Sequence, residues 1–385
     1  MKTCSKLASF AQAFNAEGDV RICGWFKHPE TIIGNLVKNE FPEIMHSTQA
    51  MKIRNMVANG DFSMCCNTCP FLAEDGRLQM VDYNDKLDYP EELSISFEQY
   101  CNYKCTCCES NFQHDACNEL AKIKERYDII ESRIRDALPY VKHLGGHGTA
   151  ELFCSPRTLK LLSEWNPKAP KEECDVFLET NGSLFNEKNW GKIENLGDYH
   201  LGVCITVMSF NEIVYQNLSG TSMPVSNLEE CLKFVRSLRD KGIINYLELA
   251  TVVQEANYLE LPEMTKRFLD EFGADCVRLR PIFPGGIYDR NIQWFFDVRN
   301  PNHPYYSMYK KVMENKIFED ERVFKWRGDL DSPLGPHPVY TTDWHVNSWK
   351  GFTWKHLRNI LPMGISRKIE MSYGQVDKNG VRHKF

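Results

Sequence analysis

The sequence has no long run of apolar residues. None of its hydrophobic stretches reaches the roughly 18 residues that a membrane-spanning helix needs, so we expect no such helix and no membrane partner. Its first residues also lack the apolar core of a secretory signal peptide. Together these two absences predict a cytoplasmic protein.

Positive charge is not in excess either. The 385 residues carry 46 Lys and Arg against 52 Asp and Glu, a formal net charge of -6. A protein that binds nucleic acid through a general basic surface needs the opposite balance, so the charge argues against a nucleic-acid partner. Apolar residues at 42% and charged residues at 25% are an ordinary globular proportion, which excludes disorder as the main state.

Cysteine, in contrast, is abundant, at 15 residues. An odd number of cysteines in a long chain without a secretion signal argues against a disulfide scaffold. In a reducing compartment, clustered cysteines more often bind metal. The clustered cysteines are Cys65, Cys66 and Cys69, and then Cys101, Cys105, Cys107 and Cys108.

From about residue 92 the hydrophobic pattern alternates between strand and helix. The predicted strands cover residues 93–97, 141–146, 176–180, 200–208, 246–253 and 276–279. The predicted helices cover residues 115–138, 156–165, 226–241 and 261–272, the third with a capping box formed by Ser226 and Glu229. This alternation predicts an α/β fold with a parallel sheet and right-handed crossovers. Six strands favour a partial (β/α)6 barrel of the TIM type, whose active site lies at the carboxyl ends of the strands.

We expect three parts along the chain, in keeping with its length. Residues 1–90 carry cysteines and turns with little periodicity, which predicts a small module supported by its cysteines. Residues 91–284 hold the alternating pattern of the barrel. Residues 285–385 form a C-terminal extension, and its segment 344–385 is basic, with eight Lys and Arg against two Asp and Glu.

Three of the clustered cysteines lie on one short loop directly after the first predicted strand. Cys101, Cys105 and Cys108 have the spacing C-x3-C-x2-C. Soft thiolates suit iron–sulfur centres, and three of them can hold three irons of a [4Fe–4S] cluster. The fourth iron then has an open coordination position, which a metal site needs for chemistry. The alternatives are a zinc knuckle and cysteines that are merely buried.

This loop, placed after the first strand of a repeating strand–helix unit, resembles the radical S-adenosylmethionine (radical SAM) superfamily over about residues 92–283. The resemblance implies that the cluster on Cys101, Cys105 and Cys108 binds S-adenosylmethionine at its open iron. One electron, from a donor such as flavodoxin or ferredoxin, then cleaves the cofactor to a 5′-deoxyadenosyl radical, which abstracts a hydrogen atom from the substrate. Cys107 takes the position that rests against the adenine.

A glycine-rich segment after the second strand extends the resemblance. Gly145, Gly146 and Glu151 resemble the family's glycine–glycine–glutamate turn, with Thr149 and Ala150 inserted before the acid. The resemblance implies that the glycines let the backbone approach the cofactor and that the acid pairs with its ammonium group. The alternative is an ordinary glycine-rich strand end.

Polar residues at other strand ends also resemble the family. Residues 180–182 resemble the Thr-Asn-Gly end of the third strand. Thr206 falls where many members place a serine near the ribose, and Gln254 belongs to a fifth-strand pattern whose polar groups face the cofactor. The alternative for both is a polar group satisfied within a strand end. On the sixth strand, Arg278 and Arg280 share a face and can bind a carboxylate or phosphate, or pair with an acid.

The N-terminal cysteines resemble the first half of a SPASM domain, the auxiliary iron–sulfur module of many radical SAM enzymes. Cys4, Gly18 and Cys23 fit its opening spacing, C-x(9–15)-G-x4-C. Here the module precedes the barrel and lacks the second half of its cysteine set, so the resemblance implies one auxiliary cluster, of the [4Fe–4S] type. The alternative is a four-cysteine zinc site. The implied ligands are Cys4, Cys23, Cys66 and Cys69, with Cys65 as a substitute for Cys66.

Eight cysteines fall outside the seven predicted ligands. Cys117 starts a helix, and Cys107 and Cys154 lie near the predicted cofactor without an assigned redox role. Four others lie on apolar faces and are predicted to be small core residues: Cys174, Cys204, Cys231 and Cys276.

The resemblance leaves the substrate open. SPASM-containing relatives imply a peptide or protein substrate, or a carbohydrate-like small molecule, in a reaction of oxidoreductase or transferase type. The auxiliary cluster is implied to assist electron transfer or substrate binding. The rival from another class is a non-catalytic iron–sulfur or zinc-binding protein with a redox or interaction role, which needs cysteines but no cofactor pocket.

Overall fold

The computed structural model describes residues 1–24, 31–65, 80–108, 121–146, 150–280, 297–298, 303–325, 375–376 and 382–383. Within them, the strands are β1 (Lys2–Cys4), β2 (Phe10–Ala13), β3 (Asp19–Arg21), β4 (Ile32–Asn35), β5 (Met80–Asp82), β6 (Glu92–Ile95), β7 (His143–Gly146), β8 (Asp175–Thr180), β9 (His200–Thr206), β10 (Tyr246–Val252), β11 (Cys276–Arg280), β12 (Val323–Lys325), β13 (Gln375–Val376) and β14 (Arg382–His383). The helices are α1 (Ser5–Ser9), α2 (Phe41–Met45), α3 (Thr48–Ala58), α4 (Ala121–Ala137), α5 (Pro156–Glu164), α6 (Glu187–Trp190), α7 (Glu212–Ser219), α8 (Val225–Asp240), α9 (Leu261–Lys266) and α10 (Tyr306–Met313).

Ten of these strands form one sheet, in the order β12-β11-β10-β9-β8-β7-β6-β2-β3-β4. Strands β6 to β11 are parallel, and neighbours in the sheet are also neighbours along the chain. At one edge β12 adds a further parallel strand, and at the other β2 pairs parallel with β6 before β3 and β4 continue antiparallel. The predicted α/β class with a mostly parallel sheet is confirmed. The strand order of β6 to β11 is also that of a (β/α) barrel, whose partial closure stays a prediction.

Helices cover one face of the sheet. A side chain built on Gly146 would meet Leu162 of α5 at 3.1 Å, and one built on Gly182 would meet Leu228 of α8 at 3.2 Å. Alternate strand residues point to this face and are at most 2% exposed, as expected for a strand face buried under helices. They are Leu93, Ile95, Leu144, Val176, Leu178, Leu201, Val203, Ile205, Leu247, Leu249, Val277 and Leu279.

The opposite face of the sheet, which we call the polar face, has a different composition. The strand register brings its residues into adjacent rows because partners in parallel strands point to the same side. Its polar and glycine residues include Gln12, Ser94, Gly145, Glu179, Cys204, Thr206, Glu248, Arg278 and Arg280.

All six predicted strands are present, with ends that differ by a few residues. The helix α7 was not predicted, although Asn211 caps its first N–H groups and Gly220 ends it in the left-handed conformation. The predicted capping box at Ser226 and Glu229 is wrong. Helix α8 instead begins at Val225, whose N–H donates to the Glu212 carboxylate of α7 at 2.8 Å.

The N-terminal segment is joined to the sheet by backbone pairing. Strand β2 pairs with β6 from Phe10 to Ala13, so the sheet runs across the predicted boundary at residue 90. Beside it, β1 pairs antiparallel with β5. The buried Arg54 of α3 donates to the carbonyl oxygens of Leu7 and Met45, at 2.9 and 2.6 Å, which fixes α3 to the chain around β1.

None of the helices in the described part of the chain is long and apolar enough to cross a membrane. None of the twelve cysteines among the described residues forms a disulfide. The structure therefore offers no disulfide scaffold in that part of the chain, as the odd cysteine count also indicated.

Candidate functional site

The cysteine loop, residues 101–108, follows β6 at the carboxyl end of the parallel strands. It carries four thiols within eight residues. Burial raises the pKa of Cys105 well above its usual range, and the nearby thiols of Cys107, Cys108 and Cys101 raise it further. Burial likewise raises the pKa of Cys101 to about 12, with the Glu151 carboxylate and two other thiols adding to the effect. The predicted ligands Cys101, Cys105 and Cys108 are therefore gathered in one place with the predicted adenine contact Cys107.

Helix α7 holds the cysteine loop at its C-terminus. The carbonyl oxygens of Leu218 and Ser219 accept hydrogen bonds from the backbone N–H groups of Thr106 and Lys104, at 2.9 and 2.8 Å. The last carbonyls of a helix have no partner within the helix, so the loop supplies the donors that they need. This tertiary cap fixes the backbone between the first and third cysteines.

Gly220 allows the loop to approach α7 closely. Its φ of +62° is left-handed, and a Cβ at this position would lie 2.4 Å from the carbonyl oxygen of Lys104. Only glycine provides both the conformation and the space at low cost. On the same loop the buried Tyr103 hydrogen-bonds through its hydroxyl to the hydroxyl of Tyr215 on α7. The loop is thus anchored by backbone and side-chain contacts.

Glu151 lies deep beside this loop, with only 1% of its surface exposed. Its carboxylate accepts hydrogen bonds from the Thr180 hydroxyl at 2.6 Å, the Asn181 N–H at 2.7 Å and the Phe153 N–H at 3.2 Å. Burial raises the pKa of Glu151, and these three donors oppose the rise. Its backbone N–H donates to Tyr100 next to Cys101, so Glu151 connects the ends of β7 and β8 with the cysteine loop.

The two predicted glycines of the turn lie on opposite faces of the sheet. Gly145 is the partner of Ser94 and lies on the polar face. Gly146 lies on the helix-covered face, where a Cβ would meet Leu162 and Leu178 at 3.1 Å each. Its missing side chain therefore makes room for core packing. The following residues 147–149 of the motif lie outside the described residues.

The other two predicted cofactor residues lie at neighbouring strand ends. Thr206 is the last residue of β9 on the polar face. Gln254, two residues past β10, is 1% exposed and accepts a hydrogen bond from the Thr106 hydroxyl of the cysteine loop at 3.0 Å. Within the described residues the buried Gln254 Nε2 has no hydrogen-bond partner, and neither has the buried hydroxyl of Ser94 beside Gly145. These donors point to a polar group that the described chain does not supply.

A network of charged side chains from β10 and β11 lies on the polar face beside β9. Glu248 is fully buried and accepts hydrogen bonds from Arg278 at 2.6 Å and from Arg280 at 3.3 Å. Arg280 also lies 3.5 Å from the Glu179 carboxylate. The shared face predicted for the two arginines is confirmed, and in this structure both pair with acids.

The prediction that Cys204 and Cys276 lie on apolar faces is wrong, although both are buried. Cys204 donates its S–H to Glu248 at 3.2 Å, and Arg280 donates to its sulfur at 3.2 Å. Burial and the Glu248 carboxylate raise its pKa, so it stays a protonated donor. Cys276 pairs with Glu248 in the strand register and shares this polar surrounding. For Cys204 the sequence hid this because its neighbours Val203 and Ile205 are apolar.

A further buried acid, Glu98, lies between β6 and the cysteine loop and caps α5. Its carboxylate accepts the backbone N–H groups of Arg157 and Thr158 in the first turn of α5, at 3.3 and 2.7 Å. Its role as a cap for α5 was not predicted, because the two segments are about 60 residues apart in sequence. Burial raises the pKa of Glu98 to about 7.

This raised pKa predicts a pH dependence of stability. The folded state holds the Glu98 proton more tightly than the unfolded chain, so its stabilising effect is present below pH 4.5 and is lost as pH rises to about 7. Glu98→Gln keeps an acceptor for the Thr158 N–H and carries no charge. We expect this variant to be more stable than the parent protein at pH 8, by up to about 3 kcal/mol, and to lose this advantage at pH 5.

The measurement is the difference in melting temperature between Glu98→Gln and the parent protein at each pH, under anaerobic conditions. Glu164→Gln serves as the matched control because its carboxylate lies at the exposed end of the same helix, paired with Arg135. A constant difference for Glu98→Gln between pH 5 and pH 8 would show that Glu98 is charged throughout.

The N-terminal cysteines are only partly described. Cys4 ends β1 and Cys23 follows β3, and both are buried, at 9% and 6% exposed. Gly18 between them has a φ of +84° and lies against Val37 and Ile130. Cys65 is partly exposed. The predicted ligands Cys66 and Cys69, like the helix start at Cys117, lie outside the described residues.

The donor atoms of the cysteine loop suit an iron–sulfur cluster. No three His, Cys, Asp or Glu side chains in the described part of the chain converge on a position for one metal ion. A cubane cluster does not require this, because each thiolate binds its own iron. Three neighbouring thiols on a loop fixed by α7, with unpaired polar atoms at adjacent strand ends, fit a cluster and a polar cofactor beside it.

Comparison with protein families identifies the N-terminal segment. Residues 4–71 match the family model SPASM, described as an iron-sulfur cluster-binding domain. The match includes Cys4, Cys23, Cys66 and Cys69, so the SPASM part of the predicted resemblance is confirmed. Comparison with curated proteins finds no match.

Several solved structures show a distant likeness to the chain. One is anSMEcpe with bound AdoMet, which is 16% identical with a TM-score of 0.34 over 51% of this chain and 53% of that chain. Another is SuiB from Streptococcus suis, which is 14% identical with a TM-score of 0.39 over 84% of this chain and 72% of that chain. A third is Elp3 from the archaeon Methanocaldococcus infernus, which is 15% identical with a TM-score of 0.32 over 71% of this chain and 57% of that chain. The matched region thus spans about half of the anSMEcpe chain.

Proposed function

We propose that this chain is a radical SAM enzyme that cleaves S-adenosylmethionine reductively on a cluster held by Cys101, Cys105 and Cys108. The observation that carries the proposal is the cysteine loop. It gathers three thiols of the superfamily spacing at the carboxyl end of the first strand of a parallel sheet, beside polar side chains from neighbouring strand ends. Ligands of parallel α/β folds bind at this end of the strands.

When bound, the cluster and cofactor supply one-electron cleavage to a 5′-deoxyadenosyl radical that takes a hydrogen atom from the substrate. The chain binds and orients them. Gly145 would allow the bound cofactor to approach the polar face, and Cys107 would rest against its adenine. Thr206 and the unpaired Gln254 Nε2 donate hydrogen bonds to the cofactor.

The proposed contact of Glu151 with the cofactor ammonium uses an acceptor site of its carboxylate that is not taken by the three donors described above. An ionised carboxylate has about four acceptor sites. Three are taken by Thr180, Asn181 and Phe153. The remaining site can accept one N–H of an ammonium group, and a positive charge there would favour the ionised form that burial disfavours.

The proposed organisation follows the sequence. Residues 1–90 form the SPASM-type module, in which Cys4, Cys23, Cys69 and either Cys66 or Cys65 hold an auxiliary [4Fe–4S] cluster that assists electron transfer or substrate binding. Residues 91–284 form the radical SAM partial barrel. The family match to residues 4–71 supports the first part, and the consecutive parallel strands β6 to β11 support the second.

Iron and sulfide content after anaerobic reconstitution tests the two sites separately. We expect about eight irons per chain, in two cubane clusters. Replacing Cys101, Cys105 and Cys108 together by alanine leaves about four irons, held by the N-terminal module. A matched triple replacement of the buried Cys174, Cys231 and Cys276 keeps all of the iron.

Each alternative result has a distinct meaning. Zinc in place of iron at the N-terminal module contradicts the auxiliary cluster and leaves the cysteine loop untouched. Full iron content in the triple variant of the cysteine loop contradicts the proposed function. Two clusters without cleavage of S-adenosylmethionine would favour a non-catalytic iron–sulfur protein.

A further inference from the structure

The sulfur of Cys101 receives two N–H donors from the chain. The backbone N–H of Tyr103 donates to it at 3.4 Å, and the side-chain Nδ2 of Asn181 donates at 4.0 Å, the long end of an N–H···S contact. Tyr103 belongs to the cysteine loop itself. Asn181 comes from the turn after β8, about 80 residues away in sequence, so this donor is a feature of the tertiary structure.

The orientation of the Asn181 amide is fixed by its neighbours. Its Oδ1 accepts the backbone N–H of Ser183 at 3.0 Å and the Ser183 hydroxyl at 2.6 Å. A backbone N–H can only donate, so the oxygen must face Ser183 and the Nδ2 group must face the loop. There Nδ2 donates to Asn102 Oδ1 at 2.9 Å, and Asn102 donates back to Ser183 at 2.9 Å.

Glu151 fixes the backbone that carries this amide. Its carboxylate accepts the Asn181 N–H at 2.7 Å and the hydroxyl of Thr180 at 2.6 Å. Because Glu151 is 1% exposed, water does not compete for these hydrogen bonds. One hydrogen of the Asn181 Nδ2 group therefore bonds Asn102, and the second is held toward the sulfur of Cys101.

We propose that Asn181 is a positioning residue that donates a hydrogen bond to the Cys101 sulfur and thereby raises the reduction potential of the cluster on the cysteine loop. This inference rests on the proposed function, in which Cys101 is a cluster ligand. The reduced cluster carries one more electron, and part of that charge resides on the ligand sulfurs. An N–H donor at a sulfur stabilises the more negative state, so hydrogen bonding is one of the factors that set cluster potentials.

Asn181→Asp tests this role with little change of shape. The aspartate keeps an acceptor oxygen for Ser183 but replaces the donor group with an oxygen beside the sulfur. We expect unchanged iron content and a midpoint potential more negative than that of the parent protein, measured by EPR-monitored redox titration of the anaerobically reconstituted chain. The signal that changes on addition of S-adenosylmethionine identifies the cluster on the cysteine loop.

Asn186→Asp is the matched control. It adds the same charge five residues away, at the exposed cap of α6, where aspartate caps as well as asparagine does. Asn181→Ser is the second test variant, because serine is too short to reach the sulfur and adds no charge. We expect it to lower the potential as well, and Asn186→Asp to leave the potential unchanged.

The outcomes separate the inference from the proposed function. An unchanged potential in either iron-loaded Asn181 variant overturns the inference alone. Loss of iron in both Asn181 variants, with iron kept in Asn186→Asp, shows that Asn181 only holds the loop and also overturns it. A parent protein without a cluster on the cysteine loop overturns both the inference and the proposed function.

Discussion

We expect the replacement of Cys105 by alanine to abolish the proposed release of 5′-deoxyadenosine from S-adenosylmethionine. Cys105 is the middle ligand of the proposed cluster, and its thiol lies at the centre of the loop, close to Cys101 and Cys108. Two remaining thiolates hold a cubane cluster poorly, so the site that would bind the cofactor is lost together with the cluster. The proposed cofactor contacts at Thr206 and Gln254 cannot replace it, because neither side chain is an iron ligand of clusters.

The measurement is the yield of 5′-deoxyadenosine with a strong reductant under anaerobic conditions, together with the iron content of each variant. Cys174→Ala is the control for the loss of a buried thiol, since Cys174 precedes β8 on the core side and is 2% exposed. We expect this control to retain both iron and cleavage. Undiminished cleavage by Cys105→Ala would show that the loop does not hold the reactive cluster.

Glu248→Leu destabilises the protein by about 3–5 kcal/mol, the typical cost of removing one partner from a buried ion pair. Glu248 is fully buried between Arg278 and Arg280, whose side chains are only 19% and 21% exposed. Without the carboxylate Arg278 loses the acceptor of its hydrogen bond, and Arg280 keeps only the more distant Glu179 and the sulfur of Cys204. The Cys204 thiol loses its acceptor as well.

Urea denaturation under anaerobic conditions measures this loss. Glu248→Gln keeps one acceptor oxygen and therefore costs less than leucine. Asp240→Ala is the matched control because it removes one acid from an exposed pair with Arg236, and we expect it to change stability by less than about 1 kcal/mol. If Glu248→Leu also lowered the free energy of unfolding by less than about 1 kcal/mol, Glu179 and solvent would be sufficient to neutralise the two arginines.

The cysteine loop shows how much local sequence can reveal. Cys101, Cys105 and Cys108 are recognised by spacing alone, because a cluster needs several thiolates on a short segment. The six parallel strands were predicted from the alternation of strand and helix patterns, and their consecutive order in the sheet is the order of a (β/α) barrel. The support of the loop by α7 was not predicted, because it depends on Gly220 and on carbonyl groups whose partners are distant in sequence.

The sequence also did not reveal which face of the sheet a given strand residue lies on. Gly145 and Gly146 are equivalent in the motif, yet the pleat of β7 places one on the polar face and the other against Leu162. Cys204 looked like a core residue because its neighbours along β9 are apolar. Its actual partners, Glu248 and Arg280, come from β10 and β11 and are brought to it by the strand register.

By itself the sequence determined the α/β class, the thiols available for clusters and the SPASM-type segment, since these depend on composition and spacing over short distances. Only the tertiary structure decided that β2 extends the parallel sheet through β6, that Glu151 is bound by Thr180 and Asn181, and that Asn181 faces Cys101. The physical reason is that hydrogen bonds between distant segments depend on the packing of the whole sheet, which no local pattern of residues encodes.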